Sequence, residues 1–243
     1  MVRLGDRITG WLSKAIDRKY TLHALETGRI TDKIYVFKTD TANFYVFRSG
    51  ENFICFDTGY RPFLSREELK SLNIDPERVT HVFLTHADID HVWGLRLFKR
   101  AAVYLSEDEE PLIRGIRPLK SAIRSPRLRR PYLLLRDNDV VTVGPTSVRA
   151  IATPGHTPGS MAYLVDGTYL FLGDTCKLKD GQAYAGKHYT MDYETQKESI
   201  RKLAGLKNVD YVFTAHSGYT QDFNAAFDYW KEAGKTGGAP GLF

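Results

Sequence analysis

Apolar positions recur along this chain with two different periods. Over residues 1–20, Leu4, Ile8, Trp11, Leu12, Ala15 and Ile16 fall three to four apart with charges between them, the spacing of an amphipathic helix. Such a helix packs on the body of the protein or at a homodimer contact; Asp6 and Asp17 dilute the basic face that a membrane surface would ask for. From residue 34 the rhythm shortens. Residues 34–38, 43–48 and 52–57 are rich in aromatic and β-branched side chains and separated by turn-prone pieces, which predicts three strands. The third runs into Asp57-Thr58-Gly59, where the glycine permits a tight turn. Residues 65–72 are predicted helical, with Ser65 as N-cap and Glu67 and Glu68 in the first turn. A buried strand follows over 79–85, and a helix is predicted to begin over 91–99.

The second half continues in this style. Strands are predicted over 102–105, 140–143, 147–153, 161–165, 168–172 and 211–214, and helices over 195–206 and 222–233. Strands first clustered and then alternating with helices point to an α/β protein of two packed sheets with helices outside. Residues 106–136 lack a clear period and are long for a plain loop, so a lid or short helical insert is expected there. The whole is expected to form a single domain over residues 1–243.

Composition narrows the picture. With 42% hydrophobic residues there is ample material for a core, and no apolar run reaches 18 residues, so no transmembrane segment is expected. The charges of the first twenty residues leave no room for the apolar core of a secretory signal. Cys55 and Cys176 form no disulfide or zinc-finger framework. A cytoplasmic location is the resulting expectation. The net charge of +5 is unevenly spread: Arg114, Arg117, Lys120, Arg124, Arg127, Arg129 and Arg130 follow one another without an intervening acid. This stretch is either a solvated surface loop or an anion-attracting rim over a binding site.

Chemistry concentrates in Thr85-His86-Ala87-Asp88-Ile89-Asp90-His91, between a buried strand and Trp93-Gly94-Leu95. Four ligand-type side chains in six residues at a strand end can converge on one point, because a turn presents side chains that a strand would send to alternate faces. Imidazole and carboxylate are ligands that zinc, iron and manganese share. Three further pieces follow strands in the same way. His156 stands alone in Thr153-Pro154-Gly155-His156-Thr157-Pro158-Gly159-Ser160, Asp174 follows Gly173, and His216 lies in Ala215-His216-Ser217-Gly218. His81 belongs to a strand, His23 carries no pattern, and Cys176 is expected as a small buried residue. No Walker or dinucleotide fingerprint occurs.

In this order of motifs, from residue 34 to residue 216, the chain resembles the metallo-β-lactamase superfamily, and its Pro154-to-Ser160 loop is most similar to glyoxalase II-like and lactonase-like members. The resemblance implies a four-layer αββα sandwich and a binuclear centre of two divalent metal ions, zinc first of all. It assigns His86 and His156 to the first metal, Asp90, His91 and His216 to the second, and Asp174 to both. Asp88 stands where the family usually has a second histidine; an ionised oxygen there admits manganese or iron as alternatives to zinc. Some nuclease-like relatives carry Asp at this position as well.

The implied activity is hydrolysis of an ester, thioester or lactone by a metal-bound hydroxide, with Asp90 anchoring the second metal and orienting or accepting a proton. True glyoxalase II is disfavoured, because that family carries a helical glutathione-binding domain after the last histidine. The partner is a small-molecule substrate, with His188, Tyr189 and Tyr219 as candidate contacts. The basic stretch favours an anionic substrate and keeps nucleic acid open, and together with Asp88 it makes a phosphodiesterase or nuclease the rival within the fold. The rival outside hydrolysis is an iron-dependent, oxygenase-like member.

Overall fold

The structure, a computed structural model, describes residues 23–60, 62–116, 127–187 and 190–236. The helix expected over 1–20, residues 117–126 of the basic stretch, His188 and Tyr189 lie outside them.

Strand alternation sets the layers. The first sheet runs β1 (Gly28–Arg29), β2 (Ile34–Thr39), β3 (Ala42–Ser49), β4 (Asn52–Phe56), β5 (Val79–Phe83), β6 (Ala102–Ser106) and β7 (Leu133–Leu135) in that spatial order. Pairing is antiparallel from β1 to β4 and parallel from β4 to β7. On β3, Tyr45 and Phe47 join one core cluster while Phe44 and Val46 join another; Ile54 and Phe56 are divided from Phe53 and Cys55 on β4 in the same way. Period-two side chains therefore fill both faces of this sheet.

The second sheet contains β8 (Val140–Val143), β9 (Thr146–Ala152), β10 (Met161–Val165), β11 (Tyr169–Phe171), β14 (Tyr211–Phe213) and β15 (Tyr219–Thr220), in the order β15-β14-β11-β10-β9-β8. A separate hairpin, β12 (Lys177–Lys179) with β13 (Gln182–Tyr184), lies between β11 and β14 in the chain. Between the sheets Phe56 stacks on Phe171 at 4.0 Å, and Phe171 on Phe213 at 4.7 Å. Each fully buried phenylalanine of this kind contributes about 1.5–3 kcal/mol. Helix α1 (Pro62–Ser71) and the short α2 (Ile89–Val92) and α3 (Glu110–Ile113) cover the outer face of the first sheet, where Leu69, Val92 and Ile113 pack. Helices α4 (Tyr193–Ala204) and α5 (Phe223–Thr236) cover the second through Ile200, Leu203, Phe227 and Trp230. The expected αββα sandwich is what forms. Among the described residues no helix is long and apolar enough to cross a membrane.

Two local expectations need correction. Ser65 is not an N-cap: α1 begins at Pro62, whose fixed φ suits a first turn, and Ser65 is buried with its Oγ 3.5 Å from the Thr58 carbonyl. The helix expected over 91–99 is only α2 followed by a 3₁₀ turn, Trp93–Leu97. Gly94 lies so close to the neighbouring loop that a Cβ would stand 1.9 Å from the Thr58 oxygen, and its N–H donates to Gly59 O at 3.1 Å instead of extending the helix. Within 106–136 the described residues include the short helix α3 and the strand β7.

The basic stretch is the crossover from β6 to β7. Arg114 pairs with Glu110 at 2.7 Å, and the Arg130 guanidinium donates to the carbonyls of Phe98 (2.8 Å) and Ala101. Those carbonyls precede β6, and β5, β6 and β7 are parallel. Arg130 thus sits at the opposite end of the sheet from the one where His86 emerges. It takes no part in a rim over the motif residues.

Candidate metal centre

The four motif pieces meet at one edge of the sandwich. His86 follows β5, Asp174 follows β11, His216 follows β14, and His156 lies in the β9–β10 connection. His86, Asp88, His91, His156 and His216 are buried. Asp90 and Asp174 each keep 15% of the side chain exposed, the most open of the seven, so the cluster is approached from their side.

Ligand-type atoms fall into two groups. The His86, His156 and Asp174 atoms lie within 4.8 Å of one another, as do those of Asp90, His91 and His216. Asp88 joins the first group: its Oδ2 is 3.6 Å from His86 Nε2 and 3.3 Å from His156 Nε2. Asp174 straddles both, with Oδ2 3.6 Å from His156 Nε2 and 3.2 Å from His216 Nε2, and Oδ1 3.7 Å from His91 Nε2. Asp90 Oδ2 completes the second group at 3.5 Å from His216 Nε2 and 3.8 Å from His91 Nε2.

Hydrogen bonds behind the rings decide which nitrogen faces inward. His216 Nδ1–H donates to the Thr41 carbonyl at 2.7 Å, and His91 Nδ1–H to Asp57 Oδ2 at 2.8 Å. The Thr85 hydroxyl donates to Asp57 Oδ2 at 2.8 Å, so its oxygen is left to accept from His86 Nδ1–H at 3.0 Å. In the neutral state each of these rings therefore turns a lone pair on Nε2 into the cluster, the tautomer that metal ligation uses. Gly173 makes this crowding feasible. Its φ is +52°, and a Cβ would stand 2.3 Å from Thr85 Oγ1.

The residues fit divalent ions on their own evidence. Among the described residues, Asp88 Oδ1, Asp90 Oδ1, His91 Nε2 and Asp174 Oδ1 are buried without a hydrogen-bond partner, and the one other such atom is Arg201 Nε. Orphaned buried acceptors are costly, and here they cluster in one place and chemically match N/O-ligated metals. The carboxylates face the histidines at close range. Burial presses His91 down, but Asp57, Asp174 and Asp90 reverse this and hold it well above the ordinary histidine range. Burial likewise opposes ionisation of Asp174, and His216 and His91 overcome it, holding the carboxyl well below its usual range.

Residues 38–216 match the profile of the metallo-beta-lactamase superfamily, about three-quarters of the chain. The chain belongs to that superfamily. Among curated relatives it is 36% identical to the uncharacterized protein YobT of Bacillus subtilis over 134 residues, 49% of this chain and 55% of that protein. It is 34% identical to a hydroxyacylglutathione hydrolase of Brucella anthropi over 151 residues, 60% of this chain and 50% of that one. The chain spans about half the length of the curated relatives it matches. A subclass B3 metallo-beta-lactamase of Bradyrhizobium japonicum superposes with a TM-score of 0.63 at 22% identity, covering 82% of this chain and 81% of that one. A metallo-beta-lactamase family protein of Thermus thermophilus gives 0.65 at 21%, covering 85% and 80%. These likenesses carry the superfamily's fold.

All seven motif residues meet within this superfamily scaffold. Tyr219 packs its ring on Phe213 and Tyr211, at 5.7 and 6.5 Å. His81 stacks beside Tyr104 and Phe83 on β5, and Cys176 is a buried thiol, as expected of both. Two residues behind the cluster escaped sequence reasoning. Asp57 was visible only as part of a turn, and its tie to His91 crosses 34 positions. Glu109 sits in the acidic run Glu107-Asp108-Glu109-Glu110, which looks solvated, yet it is fully buried. No local signal separates it from its neighbours.

Proposed function

We propose that this chain is a metal-dependent hydrolase of esters, thioesters or lactones. In this reading His86, Asp88, His156 and Asp174 bind one divalent ion, and Asp90, His91, His216 and Asp174 bind a second. The carrying observation is that two groups of imidazole and carboxylate atoms share Asp174 and hold the orphaned buried acceptors found among the described residues. Zinc suits both groups, while the carboxylate of Asp88 also admits manganese or iron(II) in the first. Ions held there supply Lewis acidity and lower the pKa of water to near 7.

The chain's own residues do the rest. Asp174 holds the two groups together, and Asp57 fixes the His91 ring directly and the His86 ring through Thr85. Asp90, on the open side of the cluster, is the carboxylate that accepts or orients a proton. The hydroxyacylglutathione hydrolase relatives favour a thioester among the three bonds. The phosphodiesterase alternative drew on Asp88 and on the basic stretch; of that stretch, Arg130 is committed to backbone carbonyls elsewhere. The test is a panel of thioesters, esters, lactones and phosphodiesters assayed with metal-reconstituted protein. Thioester, ester or lactone turnover that disappears with chelator is expected; turnover of phosphodiesters alone would overturn the assignment.

A further inference from the structure

Glu109 is a fully buried carboxylate between the two loops that carry the first group. Its Oε1 accepts from the backbone N–H of Ala87, the residue between His86 and Asp88, at 2.9 Å. Its Oε2 accepts from the Thr157 hydroxyl, next to His156, at 2.7 Å and from the Gly159 N–H at 3.1 Å. The loops close onto Glu109 at backbone distance: a Cβ on Gly159 would stand 2.2 Å from the Glu109 nitrogen. All the donors come from these two loops and none from residues 90, 91 or 216. A carboxylate taking two backbone N–H groups and a hydroxyl in a dry interior is a stiff joint, because each donor it released would be left unsatisfied.

We infer that Glu109 is a positioning residue for one half of the centre, setting the spacing of His86 and Asp88 against His156 and so the metal affinity of the first group alone. The inference rests on the proposed metal-binding reading of the cluster. Support for one half is distinct from the role of Asp57, whose hydrogen bonds reach His91 directly. The Glu109→Gln change keeps shape but turns an NH₂ toward donors on one side or the other, so at least one loop loses its acceptor. Outer partners of metal ligands typically change affinity by about 10–100-fold.

The test titrates zinc into metal-free full-length protein in two backgrounds, without substrate. With His216→Ala the first group is the intact one, and there E109Q should weaken zinc binding by about 10–100-fold. With His86→Ala the second group is the intact one, and E109Q should leave its affinity unchanged. Equal weakening in both backgrounds, or none in either, overturns the inference, because a merely structural role would not discriminate between them. Thr157→Val, which removes one hydroxyl donor, serves as a milder version if E109Q does not fold. It should reproduce the one-sided loss in smaller measure, and an isotherm unchanged in the His216→Ala background would equally overturn the inference. Failure of the hydrolase reading appears elsewhere, as wild-type protein that takes up no second equivalent of zinc or turns over none of the substrate panel.

Discussion

The two halves of the centre are built from the same residue types but held in different ways. In the second half each ring is fixed from behind: His91 by the Asp57 carboxylate and His216 by the Thr41 carbonyl. In the first half support is less direct. His86 reaches Asp57 only through the Thr85 hydroxyl, and the loops bearing Asp88 and His156 are joined through Glu109 by mainly backbone bonds. A ring tied to a charged acceptor keeps its orientation and gains basicity. A ring carried on a clamped loop is only as well placed as the loop. The second half should thus depend on single acceptors behind its rings, and the first on a joint.

The severest break in this comparison is at the residue the halves share. Asp174→Ala should reduce both metal uptake and turnover by more than about 100-fold, beyond the usual effect of an outer partner. Metal content near two equivalents with near wild-type hydrolysis would remove Asp174 from its shared role. Asp57→Asn separates the halves. Affinity in the second should fall by about 10–100-fold, and by less in the first, where Thr85 stands between. Titrations in which the first half suffers more would invert the comparison.

A pH series tests both halves together. Burial lowers His86, His91 and His216, but carboxylates (Asp88 and Asp174 for His86; Asp57, Asp174 and Asp90 for His91; Asp174 and Asp90 for His216) raise each above its ordinary value overall. In metal-free protein these protonated rings stabilise the fold fully below the unfolded pKa of about 6.5. That contribution is lost as pH rises through the elevated folded values. Metal requires neutral rings, so the gap in Tm between metal-loaded and metal-free protein should widen as pH rises toward the elevated folded values and level off above them. A gap constant with pH would mean that protons and metal do not compete at these rings. The smallest effect belongs far from the centre. Arg130→Gln should cost roughly 1 kcal/mol of stability in urea unfolding and leave the salt dependence of turnover unchanged. A flattened salt dependence would return Arg130 to the substrate path.

Sequence alone determined much of this protein. Alternation in strands such as β3 and β4 specified two buried sheet faces, because side chains on a strand can only take turns between them. The candidate cluster was equally legible, since His86, Asp88, Asp90, His91, His156, Asp174 and His216 all follow strand ends within short local patterns. What the tertiary structure alone decided is how those residues are held. Asp57 meets His91 across 34 positions, Glu109 meets Thr157 across 48, and Thr41 meets His216 across 175. Such contacts leave no periodic trace, and a buried Glu109 looks in sequence like its more open neighbours. The same holds for Gly94, where close approach to Thr58 overrides the local helical pattern, and for Arg130, one cation in a basic run until the fold turns it onto backbone carbonyls. Local pattern encodes which face a side chain takes; partners far away in the chain are chosen only when the two sheets close.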